Sequence, residues 1–243
     1  MTPADLLSAL FPAGHTVEAG PDNILSGTGH TDTGTEVAVL GIAHSTPLSP
    51  EIAISLAGQI LEIVQAGDRK PIVLLIDTAS QRMTRRDEML GLYEYLGHLA
   101  KVITLAGMQG HRTVGILYGT AAAGAFIATA LATQTLIAVD GAHPSVMDLP
   151  SIARVTKLPL ETLEEKARTT PIFAPGVAPL AATGAVAETW AVAEGDLSQR
   201  LAAVLAAAAP MDDRDRLGAA RGGRKVACDV AEKVVASFAG KAG

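Results

Sequence analysis

The stretch RTVGILYGTAAAGA, Arg112 to Ala125, passes from a fully apolar run into a string of small residues. Its first half, Arg112 to Tyr118, reads as a buried strand. Its second half, Gly119 to Gly124, reads as a turn that opens a helix running to about Ala132. Apolar strands without polar alternation belong to sheets covered on both faces, which are mostly parallel. Three more runs have the same character: Thr35 to Ala43 (TEVAVLGIA), Pro71 to Asp77 (PIVLLID) and Gln134 to Asp140 (QTLIAVD). Between the first two, Ser49 is placed to cap a helix with Pro50 and Glu51 in its first turn. Ile52, Leu56, Ile60 and Ile63 then recur at helical spacing, and Gly67 ends the helix. After Asp77, a second, long helix is expected with the stripe Met89, Leu92, Leu96, Leu99 and Ile103, capped by Asp77 or Ser80. The series is βαβαβαβ, which predicts an α/β fold with right-handed crossovers.

Outside this block the pattern weakens. Residues 1–34 are rich in Gly, Pro and Thr, with one short strand expected at Ile24 to Thr28. After Pro144, short helices are expected at Ser151 to Lys157 and Leu160 to Ala167, then an irregular link from Pro171 to Pro179. Gly184 to Trp190 (GAVAETW) reads as a strand or tight turn. Asp196 to Ala209 and Asp213 to Phe238 read as two terminal helices, with a break at Ala207-Ala208-Ala209-Pro210.

The 243 residues are 49% hydrophobic and 18% charged, a globular balance. Aromatics are only 3%, so the core rests on Ala, Leu, Val and Ile and favours close helix–sheet packing. Mean hydropathy is +0.31, which points to a subunit with a large buried interface. The longest near-apolar run, Ala121 to Ala132, is too short to span a bilayer. Net charge is −6, with −8 before Arg69, the first basic residue, and +2 after it. An acidic, base-free beginning argues against a secretory or transit segment, and the balance against nucleic-acid binding. Cys228 is the single cysteine, so neither an internal disulfide nor a cysteine-based zinc site is expected, and a cytoplasmic location is favoured. With Val226 and Val230 it makes an apolar helical pattern and is expected in the core.

The small-residue turn has three readings. Gly and Ala there let the helix pack closely on the sheet. A phosphate loop would need the lysine of G-x-x-x-x-G-K-[ST] or the spacing of G-x-G-x-x-G, and has neither. An oxyanion hole would use free main-chain N–H groups.

The strand–turn–helix unit resembles the oxyanion-hole segment of the crotonase superfamily, and within it the carboxyltransferase subunits. MDLPSIARVTKLP (147–159), PIFAPGV (171–177), GAVAETW (184–190) and Arg221-Gly222-Gly223-Arg224 resemble the gamma subunit of biotin-independent malonate decarboxylase. The resemblance runs from about residue 35 to the end. It implies a crotonase-like (ClpP/crotonase) ββα spiral over residues 35–243, a single domain with C-terminal helices, preceded by an N-terminal extension over residues 1–34. It also implies a beta subunit as partner and a malonyl thioester as substrate, on an acyl-carrier protein whose thiol belongs to a phosphoribosyl-dephospho-CoA prosthetic group. Acetyl thioester and carbon dioxide are the products. No biotin, metal or cofactor on this chain, and no membrane, is implied. The hole would use N–H groups of Gly119, Thr120, Ala121 and Ala122, on the side of the malonyl carboxylate and nascent carbon dioxide. Relatives often carry a glycine pair where this chain has Thr120-Ala121, which would tighten the cavity. Two rivals stand: a biotin-dependent carboxyltransferase subunit, and a non-catalytic scaffold subunit.

Other residues have two readings each. Arg154 and Lys157 either attract the carboxylate or prosthetic-group phosphates, or cap a helix and face solvent. His44-Ser45 follows the first long strand, where ligands often sit in open α/β folds. The pair is either a loop or a proton donor to the enolate carbon. His143 reads as structural. Arg214, Arg216, Arg221, Arg224 and Lys225 form a basic cluster, either a solvated helix face or a dock for an acidic carrier protein.

Overall fold

The computed structural model describes residues 1–171, 174–207 and 212–239. Ile172 and Phe173 of the PIFAPGV string, and the break expected at Ala208-Ala209-Pro210, lie outside them. Nine strands are described. β1 (Glu18–Ala19), β2 (Ile24–His30), β3 (Glu36–Ile42), β4 (Ile72–Ile76), β5 (Thr113–Leu117), β7 (Thr135–Val139) and β9 (Glu188–Trp190) form one sheet in the order β1-β2-β3-β4-β5-β7-β9. β1, β2 and β3 pair antiparallel, and every pairing from β3 to β9 is parallel. β6 (Thr120–Ala122) and β8 (His143–Ser145) leave the main sheet and pair in parallel with each other. The four expected apolar strands are β3, β4, β5 and β7, each found within a residue or two of its predicted limits.

Their residues alternate between two cores. Leu40, Ile42, Leu74, Ile76, Leu117 and Leu136 face one side, with α2 (Pro50–Ala66), α4 (Leu92–Met108) and α5 (Ala123–Ala128). Val39, Val73, Leu75, Val114, Ile116 and Ile137 face the other, with α1 (Pro3–Leu10) and α9 (Leu197–Ala206). Residues 1–34 are therefore built into the fold. Leu6, Leu7, Leu10 and Phe11 help to close the second core, and residue 34 falls inside the β2–β3 hairpin. The strand expected at Ile24 to Thr28 is present as part of β2; what the sequence did not show is α1 and the pairing that builds both into the fold. β5–β6–α5 and β7–β8–α6 (Leu149–Thr156) are two successive strand–strand–helix units, the repeat of a crotonase-like spiral.

Local signals behave as the sequence predicts in α2. Ser49 Oγ accepts the Ile52 N–H at 3.2 Å, and Gly67 closes the helix in the left-handed conformation, φ 73°. The helix expected after Asp77 differs. Thr84, not Asp77 or Ser80, caps a short α3 (Arg85–Met89). Gly91, at φ 79°, separates α3 from α4, and Met89 is left 77% exposed instead of joining the stripe. The helix expected to run to Ala132 stops as α5 at Ala128. The link after Pro171 contains a helix, α8 (Val177–Ala182), following α7 (Leu160–Thr169). The last helix is two, α10 (Arg214–Ala220) and α11 (Ala227–Ala239), divided at Gly222-Gly223. Cys228 is not in the core: α11 lies on the surface, with Val226 69% and Val230 55% exposed. The periodicity of α11 is that of an apolar helix face that no described residue covers. No helix among the described residues is long and apolar enough to cross a membrane.

The segment from Gln81 to Met89 is clamped to the start of α2 by charge. The buried Asp87 carboxylate receives Arg82 Nε at 2.6 Å and Nη2 at 2.9 Å, and Arg86 Nη1 at 3.1 Å. Both arginines also reach Glu51, at 3.0 and 2.6 Å. The Arg82 guanidinium holds Asp87 well below the usual carboxylate range. Glu51 is lowered to about 2, first by its own main-chain N–H, then by Arg86 and the Ser49 hydroxyl. Folded-state values below the unfolded ones mean that this stabilisation is complete above the unfolded carboxylate range, about pH 4, and disappears as pH falls towards 2. Thermal melts of wild type and Asp87→Asn should therefore differ most above about pH 5 and converge on acidification; a gap independent of pH would contradict the clamp.

Candidate functional site

The carboxyl ends of β3, β4 and β5 bring three loops together. From β3 come His44 and Ser45, both exposed and both left-handed, at φ 59° and 48°. From β4 comes Asp77. From β5 comes the turn Gly119–Gly124. Asp77 Oδ1 accepts the Thr120 N–H at 3.0 Å and the Ser45 hydroxyl at 2.9 Å. The Thr120 hydroxyl, with one proton to give, lies 2.8 Å from Ser45 Oγ and 3.3 Å from Asp77 Oδ1. Gly119 is required by this contact: a Cβ there would lie 2.1 Å from Asp77 Oδ1.

The main chain of the turn is held on both sides. Thr78 N–H donates to the Thr120 carbonyl at 2.7 Å, and His143 N–H to the Gly119 carbonyl at 2.8 Å. Thr120, Ala121 and Ala122 pair with His143, Pro144 and Ser145. Successive N–H groups of a strand point to opposite sides, so Ala121 turns towards β8 while Thr120 and Ala122 turn away from it. Ala123 follows at φ 50°, a left-handed conformation uncommon without glycine. Gly124 N–H donates to Gln81 Oε1 at 2.9 Å. Of the four expected donors, Thr120 N–H is thus taken by Asp77 and Ala121 faces the ladder. Outside that ladder, the described residues hold no acceptor for the Gly119 or Ala122 N–H.

A cavity of about 260 Å³ begins at Ser145, the strand partner of Ala122. Met147 and Ile152 come to it from one family-like string, Pro171, Ala174 and Pro175 from the next. Arg224 comes from the Arg-Gly-Gly-Arg turn. Val146 and Leu180 add to an apolar wall, in which Thr183 is the further polar residue. Local chemistry explains the first string: Asp148 caps α6 by accepting the Ser151 N–H at 2.7 Å, Pro150 sits in the first turn, and Lys157 ends the helix at φ 62°. The Ser151 hydrogen bonds lower the Asp148 carboxyl from its ordinary value.

Arg154 and Lys157 are exposed on α6 and are not among the cavity's lining residues. His143 acts through its main chain, as a structural residue. The basic cluster divides. Arg221 is held inside the chain: Nη1 donates to the Ala181 and Val186 carbonyls and Nη2 to that of Ala187, each at 2.8 Å. Arg214 binds Asp212 and the Leu131 carbonyl. Neither is a free docking charge. Gly223 packs so closely that a Cβ would lie 2.3 Å from the Ala182 carbonyl oxygen, so the Arg-Gly-Gly-Arg turn clasps the end of α8 and delivers Arg224 to the cavity. Asp77, Gln81 and Ser145 emerge as site residues that sequence reasoning assigned elsewhere or passed over. Their one signal is position at, or just beyond, the carboxyl end of a strand.

The architecture is that of the carboxyltransferases of crotonase type. A Pseudomonas malonate decarboxylase hetero-tetramer in complex with coenzyme A contains a chain that matches with a TM-score of 0.79 and 24% identity, over 96% of this chain and 97% of that one. The transcarboxylase 12S core with hydrolysed methylmalonyl-coenzyme A matches with a TM-score of 0.67 and 16% identity, over 82% of this chain and 38% of that one. Malonyl-S-ACP:biotin-protein carboxyltransferase MADD of Malonomonas rubra is 30% identical over 112 residues, 45% of this chain and 38% of that protein, so the chain spans well under half of that relative. The family model for the malonate decarboxylase gamma subunit matches residues 43–238, and the chain belongs to that family.

Two substitutions test the local construction. Arg221→Ala removes three charge-assisted hydrogen bonds at the end of α8 and should cost about 2 kcal/mol of stability, read as a lowered Tm. Gly119→Ala should cost about 1–3 kcal/mol by overpacking against Asp77. An unchanged Tm in either variant would contradict the contact concerned.

Proposed function

We propose that this chain, paired with a beta subunit, decarboxylates a malonyl thioester carried on an acyl-carrier protein, releasing carbon dioxide and leaving an acetyl thioester. One observation carries the reading: three family-like strings, spread over nearly 80 residues, converge on a single, mostly apolar cavity that begins at Ser145, the strand partner of Ala122 in the bend.

The bond between the carboxylate and the α-carbon breaks, its electron pair moves onto the thioester oxygen as an enolate, and the α-carbon later takes a proton. No nucleophile is needed. Fixed donors in a water-poor cleft stabilise the moving charge. Apolar walls strip water from the malonyl carboxylate and favour neutral carbon dioxide. The N–H groups of Gly119 and Ala122 serve the carboxylate side, with Thr120 and Ala121 setting the shape of the bend. A corresponding bend in the partner serves the enolate. Arg224 balances anionic charge at the cavity mouth, while Arg154, Lys157 and His44 draw in the anionic arm.

The phosphoribosyl-dephospho-CoA group belongs to the carrier protein and supplies the thioester sulfur. What this chain must accommodate is the short acyl end, and a cavity of about 260 Å³ with mostly apolar walls suits that. No cofactor is assigned to this chain, and the complex works without biotin in the cytoplasm. A second reading, transfer of the carboxylate to a biotin protein, is favoured by the likeness to the Malonomonas carboxyltransferase.

The purified heterodimer, assayed on malonyl-carrier and malonyl-CoA with avidin present, should release carbon dioxide at an undiminished rate. Dependence on a biotinyl protein would select the second reading. Ala122→Pro, with assembly verified, should lower kcat by about 10²- to 10³-fold; full activity would make the chain a scaffold.

A further inference from the structure

We propose that Asp77 is a positioning residue for this reaction, acting through the bend and not through the substrate. The inference rests on the reading just given. The Asp77 carboxylate stands where three neighbouring strand ends meet, and one of its oxygens gathers Ser45 from β3 and Thr120 from β5. Residues 77 and 78 hold Thr120 at both polar groups of its main chain: the carboxylate takes the N–H, and the Thr78 N–H fills the carbonyl.

That grip extends outward from the bend. The Thr78 hydroxyl donates to the Thr46 carbonyl at 2.7 Å, and Asn23 Nδ2 to the Thr46 hydroxyl at 2.8 Å. The carboxylate also fills the space left by the missing side chain of Gly119. With residue 120 fixed in rotation, the N–H of Ala122, two residues further along the same strand, is fixed in direction. A carboxylate fits because it offers only acceptors to two hydroxyls and one N–H. An asparagine keeps the acceptor oxygen and loses the charge. If the role is geometric, it therefore recovers function where alanine does not.

The test uses the assembled heterodimer. Asp77→Ala should lower kcat by about 100-fold, the scale of a roughly 1 Å misplacement, with KM changed less than about twofold. Asp77→Asn should recover most of that loss. Ser45→Ala, which removes one hydroxyl and leaves the carboxylate, should lower kcat by about three- to tenfold. It also keeps the proposal testable if Asp77→Ala does not assemble. Amide hydrogen exchange over residues 118–124 reads the bend without any reaction: exchange should quicken in Asp77→Ala and Ser45→Ala and match wild type in Asp77→Asn. Asp77→Asn as damaged as Asp77→Ala, a loss confined to KM, or unaltered exchange would each overturn the proposal. Responsive exchange in a wild-type complex without decarboxylase activity would sustain the positioning role and defeat the functional reading alone.

Discussion

Four parallel strands, β3, β4, β5 and β7, are apolar on both faces, and that double burial constrains everything else in the molecule. A sheet sealed on both sides has no room for charge within it, so polar groups collect along its edges. Ser45, Asp77 and Thr120 meet beyond the carboxyl edge because adjacent strands in register end at nearly the same level. The close approach of the Asp77 carboxylate to Gly119 follows from the same register.

The site is then a matter of which main-chain groups remain unclaimed. Secondary structure satisfies most buried N–H groups, and a bend is where the pattern lapses. Here two short strands outside the main sheet, β6 and β8, claim part of the bend, and Asp77 and Gln81 claim two further N–H groups. The apolar cavity begins one strand away, at Ser145, the partner of Ala122. A chemistry that moves negative charge and needs no nucleophile suits such a place, because fixed dipoles need no reorganisation when the charge develops.

The surface carries a second message. Met83, Met89, Leu90 and Tyr93, around the start of α4, are exposed, as are Val226, just before α11, and Val230, Val234 and Phe238 on it. Periodicity read α11 as buried; the helix has the right pattern, but its apolar face is exposed among the described residues. A hydropathic signal reports that a face is apolar and does not say what covers it.

The sequence by itself determined the four buried strands, the capped helix α2, the small-residue bend and the strings by which the family is recognised, since each depends on neighbours within a few residues. It placed Gly119 to Ala122 at a bend but credited Thr120 with an N–H that Asp77 takes. It read Asp77 as a cap and Arg221 as either a solvated or a docking charge. Those assignments depend on contacts across 43 and 34 to 40 residues, as do the convergence of the family-like strings on one cavity and the inclusion of residues 1–34 in the sheet. Only the tertiary structure could decide them, because a polar group's role is set by which partner reaches it in space, and spacing along the chain carries no record of that.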